Sequence, residues 1–129
     1  MRVRVKAAVA ALAFAAFAMP AHAHHVAGIE YDTRHNVALR GAVMRVDWRL
    51  PHVVLYITAE KSDGSRADWT ILTLGPAMLE REGLHQSFLK VGDIVDMRVC
   101  LAKDGSQRAV TRSIQRPDRT PTFVRVGGC

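Results

Sequence analysis

Histidine is the residue type in this chain best suited to chemistry, because imidazole can bind a metal or transfer a proton near neutral pH. The chain has six histidines, and three of them stand within four positions in the segment MPAHAHHVAG. If the mature protein begins at His24, its free amine and adjacent imidazole form a chelating pair for Cu(II), to which His25 adds a nitrogen. The sequence therefore suggests a copper or zinc site at the amino terminus, which His35 or His52 could complete if the fold brings it near.

The same histidines also fit roles without a metal. His24 and His25 would then lie on a flexible terminal tail, because chain ends are ordered only when something holds them. His52 lies in the segment WRLPH, where Trp48 and Pro51 indicate a stiff bend between two strands. Its ring would hydrogen-bond a backbone carbonyl and lock that corner, with Trp48 packed beneath it. A ligand or proton-shuttle role for His52 is the alternative, and both interpretations stay open.

An enzyme would need a nucleophile beside a base, or two converging carboxylates. The sequence shows neither at a recognisable spacing, because Ser62, Ser65 and Ser106 fall in turn sequences. Glu30 and Asp32 offer two carboxylates to a metal, but capping a turn accounts for them as well. The glycines match neither a P-loop nor a dinucleotide-binding fingerprint. We therefore predict a protein that is not an enzyme but a binding or structural module of the cell envelope, with an envelope protein or a small ligand as its partner.

The segment before the paired histidines has the three parts of a secretory signal peptide. Three basic residues stand among the first six, an apolar run covers residues 7–19, and Ala21 and Ala23 place small side chains at the cleavage positions. We predict Sec-type export to the periplasm and cleavage before His24, with a cut after Ala21 as the poorer alternative. The apolar run is shorter than the roughly 20 residues of a membrane-spanning helix, so no membrane span is expected.

Charge argues against nucleic acid as a partner. Removal of residues 1–23 takes away three basic residues and no acidic one, which halves the formal net charge of +6 at pH 7. The remaining arginines alternate with acids, and an exported protein would not normally meet DNA. We therefore expect no nucleic-acid binding, and the sequence leaves the oligomeric state undefined.

Two cysteines, Cys100 and Cys129, stay in the predicted mature chain. An even number of cysteines in an oxidising compartment favours a disulfide. Cys129, however, follows two glycines at the end of a tail that we expect to be mobile, so the bonded and free states both stay open.

Alternating apolar and polar residues, with turn signals between them, predict a mainly β domain. The phase of the alternation slips near Gly41, as expected for a long first strand that bulges. Cys100 falls on the polar, outward side of its strand. The predicted strands cover residues 37–50, 53–60, 67–74, 95–101 and 108–115, with a possible last strand at 122–126 and a short helix in PAMLEREG between the third and fourth.

This order of elements predicts a small OB-like Greek-key barrel of five to six strands, with a small open sandwich as the competing fold. The predicted organisation is a signal peptide (1–23), an amino-terminal arm (24–36), one barrel domain (37–126) and a flexible carboxyl-terminal tail (127–129).

Four segments carry a resemblance to a known family: HHVAGIEYD, GAVMRVDWRLPHVVLYI, GPAMLEREG and LKVGDIVDMRVCLAKDGS. In this order and spacing they resemble the small exported bacterial proteins grouped as domain of unknown function 6152. The resemblance covers His24 to about Ile114 and implies an exported, barrel-like domain. The paired histidines belong to the resembled pattern, which raises the metal hypothesis slightly, but the resemblance implies little about activity.

The chain departs from that pattern at several positions. Leu50 stands where Asn is expected in an N-P-H triplet, Leu72 where a Glu commonly follows Trp69 by three residues, and Leu84 where an aromatic often follows the glycine. The resemblance therefore implies for this chain no role that needs Asn at position 50 or Glu at position 72. The two cysteines look particular to this chain, so a disulfide would be a local addition.

Overall fold

In the computed structural model of the protein, the described residues are 30–60, 63–117, 123–125 and 129. The predicted signal peptide, 1–23, and the paired histidines of the arm therefore lie outside the described residues. The elements are β1 (Val37–Asp47), β2 (Val54–Glu60), β3 (Arg66–Leu72), α1 (Pro76–Arg81), a 3-10 helix (Gln86–Phe88), β4 (Ile94–Leu101), β5 (Arg108–Gln115) and β6 (Phe123–Arg125).

The sheet closes into a five-stranded barrel. Its antiparallel order is β3-β2-β1-β4-β5, and β3 also pairs with β5 in parallel, with residues 70–72 beside residues 108–110. β6 extends the sheet by pairing with residues 113–115 of β5. The predicted OB-like barrel is thus confirmed, and closure through β3 and β5 excludes the open sandwich.

The first strand serves two neighbours along its length. Residues 37–42 pair with β4 and residues 41–47 with β2. The register shifts between Val43 and Arg45, which makes Met44 the extra residue of a β-bulge. The predicted slip of the apolar–polar alternation near Gly41 is confirmed, and the bulge itself lies at Met44.

Gly41 has a different function in β1. A Cβ atom at this position would lie 2.5 Å from Ile57 Cγ2 and 2.6 Å from the Thr58 carbonyl oxygen. β1 and β2 therefore approach so closely here that no side chain fits.

The barrel core consists of inward-facing apolar side chains from all five strands. α1 and the segment after it contribute Leu79, Leu84 and Phe88 to the same core. Pro76 stands at the start of α1, and Gly83, with φ +86°, follows its end, as the sequence predicts. The strand contributions include Val43, Leu55, Ile57, Ile71, Val95, Met97, Val99, Ala109 and Ile114.

A second, smaller apolar cluster lies around Cys100. Cys100 is buried together with Tyr31, Ala102 and Val110, and Cys129 packs against them. Cys100 thus lies on the outward side of β4, as the alternation predicts, in a cluster separate from the barrel core, where the arm and the last residue of the chain cover it.

A disulfide joins Cys100 to Cys129, with 6.2 Å between their Cα atoms. The sequence left both the bonded and the free state of the cysteines open, and the structure has the bonded state. Of the predicted flexible tail, 127–129, only Cys129 is described, and it is covalently held at β4.

Candidate binding face

The corner between β1 and β2 is held by His52. Its Nδ1 lies 3.1 Å from the Thr73 carbonyl oxygen, and because a carbonyl oxygen only accepts, Nδ1 carries the hydrogen. The Thr73 hydroxyl donates to the Val53 carbonyl at 2.8 Å, and the Leu50–Pro51 peptide bond is cis. The hydrogen bond agrees with the interpretation of His52 without a metal, in which its ring binds a backbone carbonyl and locks the corner. β3 ends at Leu72, earlier than predicted, because Thr73 belongs to the corner, and β1 ends at Asp47, before the corner residues.

Trp48, the other aromatic part of the corner motif, packs against the barrel core. Gly75 approaches the same bend, since a Cβ there would lie 2.7 Å from the Pro51 carbonyl oxygen. The WRLPH and GPAMLEREG segments of the family pattern therefore meet in one structural joint.

His35 makes its hydrogen bond within the arm and not at the corner that contains His52. Its Nδ1 donates to Asp32 Oδ2 at 2.9 Å, and its side chain is 76% exposed. This hydrogen bond is the largest cause of a lowered Asp32 pKa. Asp32 also accepts the Arg34 amide at 3.3 Å, so it caps the turn as the sequence suggested.

The metal hypothesis stays a prediction. His24 and His25 lie outside the described residues. In the described ranges, no group of three or more His, Cys, Asp or Glu side chains is placed to hold a metal ion. His35 and His52 each have a separate hydrogen-bond partner, in the arm and in the corner respectively.

The arm motif EYD meets the hairpin motif KDGS. Tyr31 forms an isolated antiparallel bridge with Ala102, and the Lys103 amide donates to the Glu30 carbonyl at 2.8 Å. Burial of the Tyr31 ring raises the pKa of its hydroxyl, against the opposing charge of Arg108. These two family segments therefore hold the arm onto the barrel.

Asp104 organises the hairpin between β4 and β5. It accepts the Ser106 hydroxyl at 2.6 Å and the Ser106 amide at 2.9 Å. These hydrogen bonds lower the Asp104 pKa, and Arg108, which donates to Asp104 at 3.1 Å, adds to the effect. The Asp104 carboxylate therefore stabilises a tight turn.

A groove on the outer surface of the sheet is the strongest candidate site. It has a volume of about 610 Å³ and crosses β1, β2 and the ends of β3 and β4. We call it the outer groove. It is lined by Arg40, Gly41, Ala42, Met44, Thr58, Glu60, Arg66 and Ile94.

Two exposed apolar side chains, Met44 and Ile94, belong to the lining of the outer groove, and we call them its apolar centre. Met44, turned outward at the bulge, is 55% exposed, and Ile94 is 42% exposed. Val91, 71% exposed, stands in the turn whose Gly92 amide donates to the Val43 carbonyl at 2.8 Å. Three large apolar residues are thus exposed around one bulge, where a surface patch rimmed by polar groups is typical of an interaction site.

Polar and charged side chains surround this apolar centre. Arg40 Nη1 donates to Asp96 Oδ2 at 2.6 Å. A smaller pocket of about 210 Å³ adjoins the groove and shares Met44 and Thr58 with it. There the Thr58 hydroxyl donates to Asp68 at 2.7 Å.

The Arg45 guanidinium lies on the far side of the bulge, next to Tyr56 of the smaller pocket. It stacks 3.8 Å from the Tyr56 ring centroid and lies 3.3 Å from Asp47. One face of the Tyr56 ring is therefore covered by Arg45.

No sequence motif singles out the residues of the outer groove. They come from strands that are distant along the chain, and no motif connects them. The sequence signal for an exposed Met44 was the slip in alternation. A bulge lets the apolar residues on both sides of it face the core, while its extra residue, here Met44, lies on the outside.

The fold and this surface define a small closed β-barrel with a candidate binding face and a disulfide-held carboxyl terminus. The chain belongs to the family of unknown function DUF6152, whose family model matches residues 9–111. The resemblance carried by the four sequence segments is thereby confirmed. No curated protein and no solved structure matches the chain significantly. Among the helices of the described ranges, none is long and apolar enough to cross a membrane.

Proposed function

We propose that this protein is an exported, non-catalytic binding module of the cell envelope, and that it holds its partner in the outer groove. The observation that carries the proposal is that two exposed apolar side chains, Met44 and Ile94, line the same groove on the outside of the barrel. Leaving apolar area in water is unfavourable by about 25 cal/mol per Å², so a partner that covers these side chains gains that free energy.

The architecture supports a binding role. Barrels of this type bind ligands on the outer face of strands 2 and 3, next to the connecting loops. The outer groove includes Thr58 and Glu60 of β2 and Arg66 of β3. An apolar centre with a charged rim is also the usual composition of a protein interface.

A non-catalytic role is proposed because the sequence shows neither a nucleophile with a base nor two converging carboxylates at a recognisable spacing. In the described structure, Asp32 and Asp104 organise turns, and His52 holds a corner. These side chains have structural partners that account for them.

Export is proposed from the signal-peptide pattern of residues 1–23. The Cys100–Cys129 disulfide supports it, because structural disulfides persist in oxidising compartments and are rare in the cytosol. Mass spectrometry of the protein isolated from its natural host should show a mature chain that begins at His24. A chain that still carries residue 1 and fractionates with the cytosol would contradict export.

The binding face can be tested by photo-crosslinking in the producing cell. A photoreactive phenylalanine analogue in place of Met44 should give one reproducible adduct. Met78, on α1, is the matched control position, because it is similarly exposed at 52% but lies away from the groove. We expect no such adduct from position 78. Failure to form any adduct at position 44, or the same adducts at both positions, would reject the outer groove as the binding site.

A further inference from the structure

Four charged residues stand side by side across the outer surface of the sheet. Arg40 of β1 is the register partner of Asp96 of β4, and Glu60 of β2 is the register partner of Arg66 of β3. Arg40 directly precedes Gly41 and Glu60 directly follows Ala59, and these two residues are paired in the antiparallel β1–β2 register. The charge row is therefore Asp96, Arg40, Glu60 and Arg66, one residue from each of four adjacent strands.

The signs of the charge row alternate from negative to positive across the sheet. Since neighbouring strands are about 4.8 Å apart, the row spans roughly 14 Å. Asp96 and Arg40 are joined by a 2.6 Å ion pair. Among the described residues, Glu60 and Arg66 make no ion pair within 4.0 Å, and both are exposed. This half of the row therefore has charge to offer to a partner.

An alternating row of four charges is complementary to itself. When a second copy faces it across a two-fold axis that runs perpendicular to the row, the first position meets the fourth and the second meets the third. Asp96 then faces Arg66 of the second copy, and Arg40 faces its Glu60. Each charge meets the opposite sign, as an isologous interface requires. A partner of a single sign would instead meet like charges at two of the four positions.

We infer that the outer groove binds a second copy of this chain, with Met44 and Ile94 at the apolar centre and the charge row pairing across a two-fold axis. The inference rests on the proposed function, because it names the occupant of the same groove. The apolar centre contributes affinity through burial, and the charge row sets the orientation of the two copies.

The test uses two charge reversals that should separate the copies and one mixture that should rejoin them. Arg66→Glu places Glu against Asp96 of the other copy, and Asp96→Lys places Lys against Arg66. Each variant alone should raise the dimer dissociation constant about tenfold or more. When the two variants are mixed, every position of the row again faces the opposite sign, so a heterodimer should form.

Native mass spectrometry identifies the heterodimer by its mass, and analytical ultracentrifugation measures the dissociation constants. The protein should be purified in the form that accumulates in its natural host. Arg112→Glu, which reverses an exposed arginine of β5 outside the charge row, is the matched control and should leave dimerisation unchanged. The reversed residues have exposed or half-exposed side chains, so circular dichroism should show folded protein throughout.

A wild-type protein that stays monomeric at about 100 μM, a weak-affinity range, would overturn the inference. So would a dimer that both reversals leave intact, or a mixture that gives no heterodimer. The crosslinking experiment separates these outcomes from failure of the proposed function. A Met44 adduct with a different protein, together with a monomeric wild type, would retain the groove as a binding site and reject the second copy as its occupant.

Discussion

The disulfide between Cys100 and Cys129 holds the last residue of the chain against β4, outside the barrel core. Cys100 is fully buried at this point, because Tyr31 of the arm and Val110 of β5 pack beside it. The two ends of the domain are thus fastened at the same place: the arm by its bridge to Ala102, and the carboxyl terminus by a covalent bond.

Removal of this bond should destabilise the protein. The two cysteines are 29 residues apart, so Cys129→Ser should lower the free energy of unfolding by roughly 3–4 kcal/mol in the chain-entropy description. Urea unfolding of the oxidised wild type and the variant measures the difference. A reducing agent should bring the wild type to the stability of the variant and leave the variant unchanged. Identical unfolding midpoints for oxidised and reduced wild type would contradict this role.

The close contact at Gly41 predicts the effect of a single added methyl group. Gly41→Ala places a Cβ against the Thr58 carbonyl, which is backbone and cannot rotate away. We expect a loss of about 1–3 kcal/mol in unfolding free energy, as for other overpacked sites. Ala38→Ser, at an exposed position of the same strand, is the control and should change stability by less than about 0.5 kcal/mol. An unchanged Gly41→Ala variant would mean that β1 and β2 separate more easily than their packing indicates.

The hydrogen bond from His52 to the Thr73 carbonyl predicts a structural cost when the ring is removed. His52→Ala should destabilise the protein by about 0.5–1.5 kcal/mol, because the carbonyl loses its side-chain donor. His85→Ala, which removes an exposed imidazole elsewhere, serves as the control in the same thermal unfolding experiment. If both variants unfold at the wild-type temperature, the corner does not depend on His52, and its ligand or proton-shuttle role becomes the better explanation.

The Asp32–His35 hydrogen bond predicts a change in titration. Because the folded-state pKa of Asp32 lies below its ordinary value, this carboxylate stabilises the fold above the unfolded pKa of about 3.9 and loses that effect as the pH falls through the folded pKa. His35→Ala should raise the Asp32 pKa toward the ordinary value. Carboxyl carbon chemical shifts followed by NMR give the pKa directly. His85→Ala should not move it, and an Asp32 pKa unaffected by His35→Ala would assign the lowering to the turn backbone instead.

Several features of the fold follow from short segments of sequence. The six strands, α1 and the bulged first strand were all predictable, because alternation, Asp-Gly turns and the Pro76–Gly83 spacing act over a few residues. The bend at His52 was also predictable, since Trp48, Pro51 and His52 are neighbours in the chain, but its hydrogen-bond partner, Thr73, was not. The family resemblance was visible for the same reason, as its segments are contiguous.

The outer groove and the burial of Cys100 could not be predicted in this way. Alternation shows that Cys100 points away from the barrel interior, but not that Tyr31 and Cys129 cover it. Likewise, the positions of Met44 and Ile94 in the sequence do not show that they line one groove. These relations depend on which strands pair and in which register.

The amino-acid sequence by itself determined the order of the five barrel strands, the turns between them, and the signal-peptide pattern at the amino terminus. Only the tertiary structure decided that β3 closes onto β5, that Cys100 bonds to Cys129, and that Asp96, Arg40, Glu60 and Arg66 form one row. The physical reason is that local patterns set which side of a strand each residue occupies, whereas the alignment of residues from distant strands is set by pairing register and by the bulge at Met44.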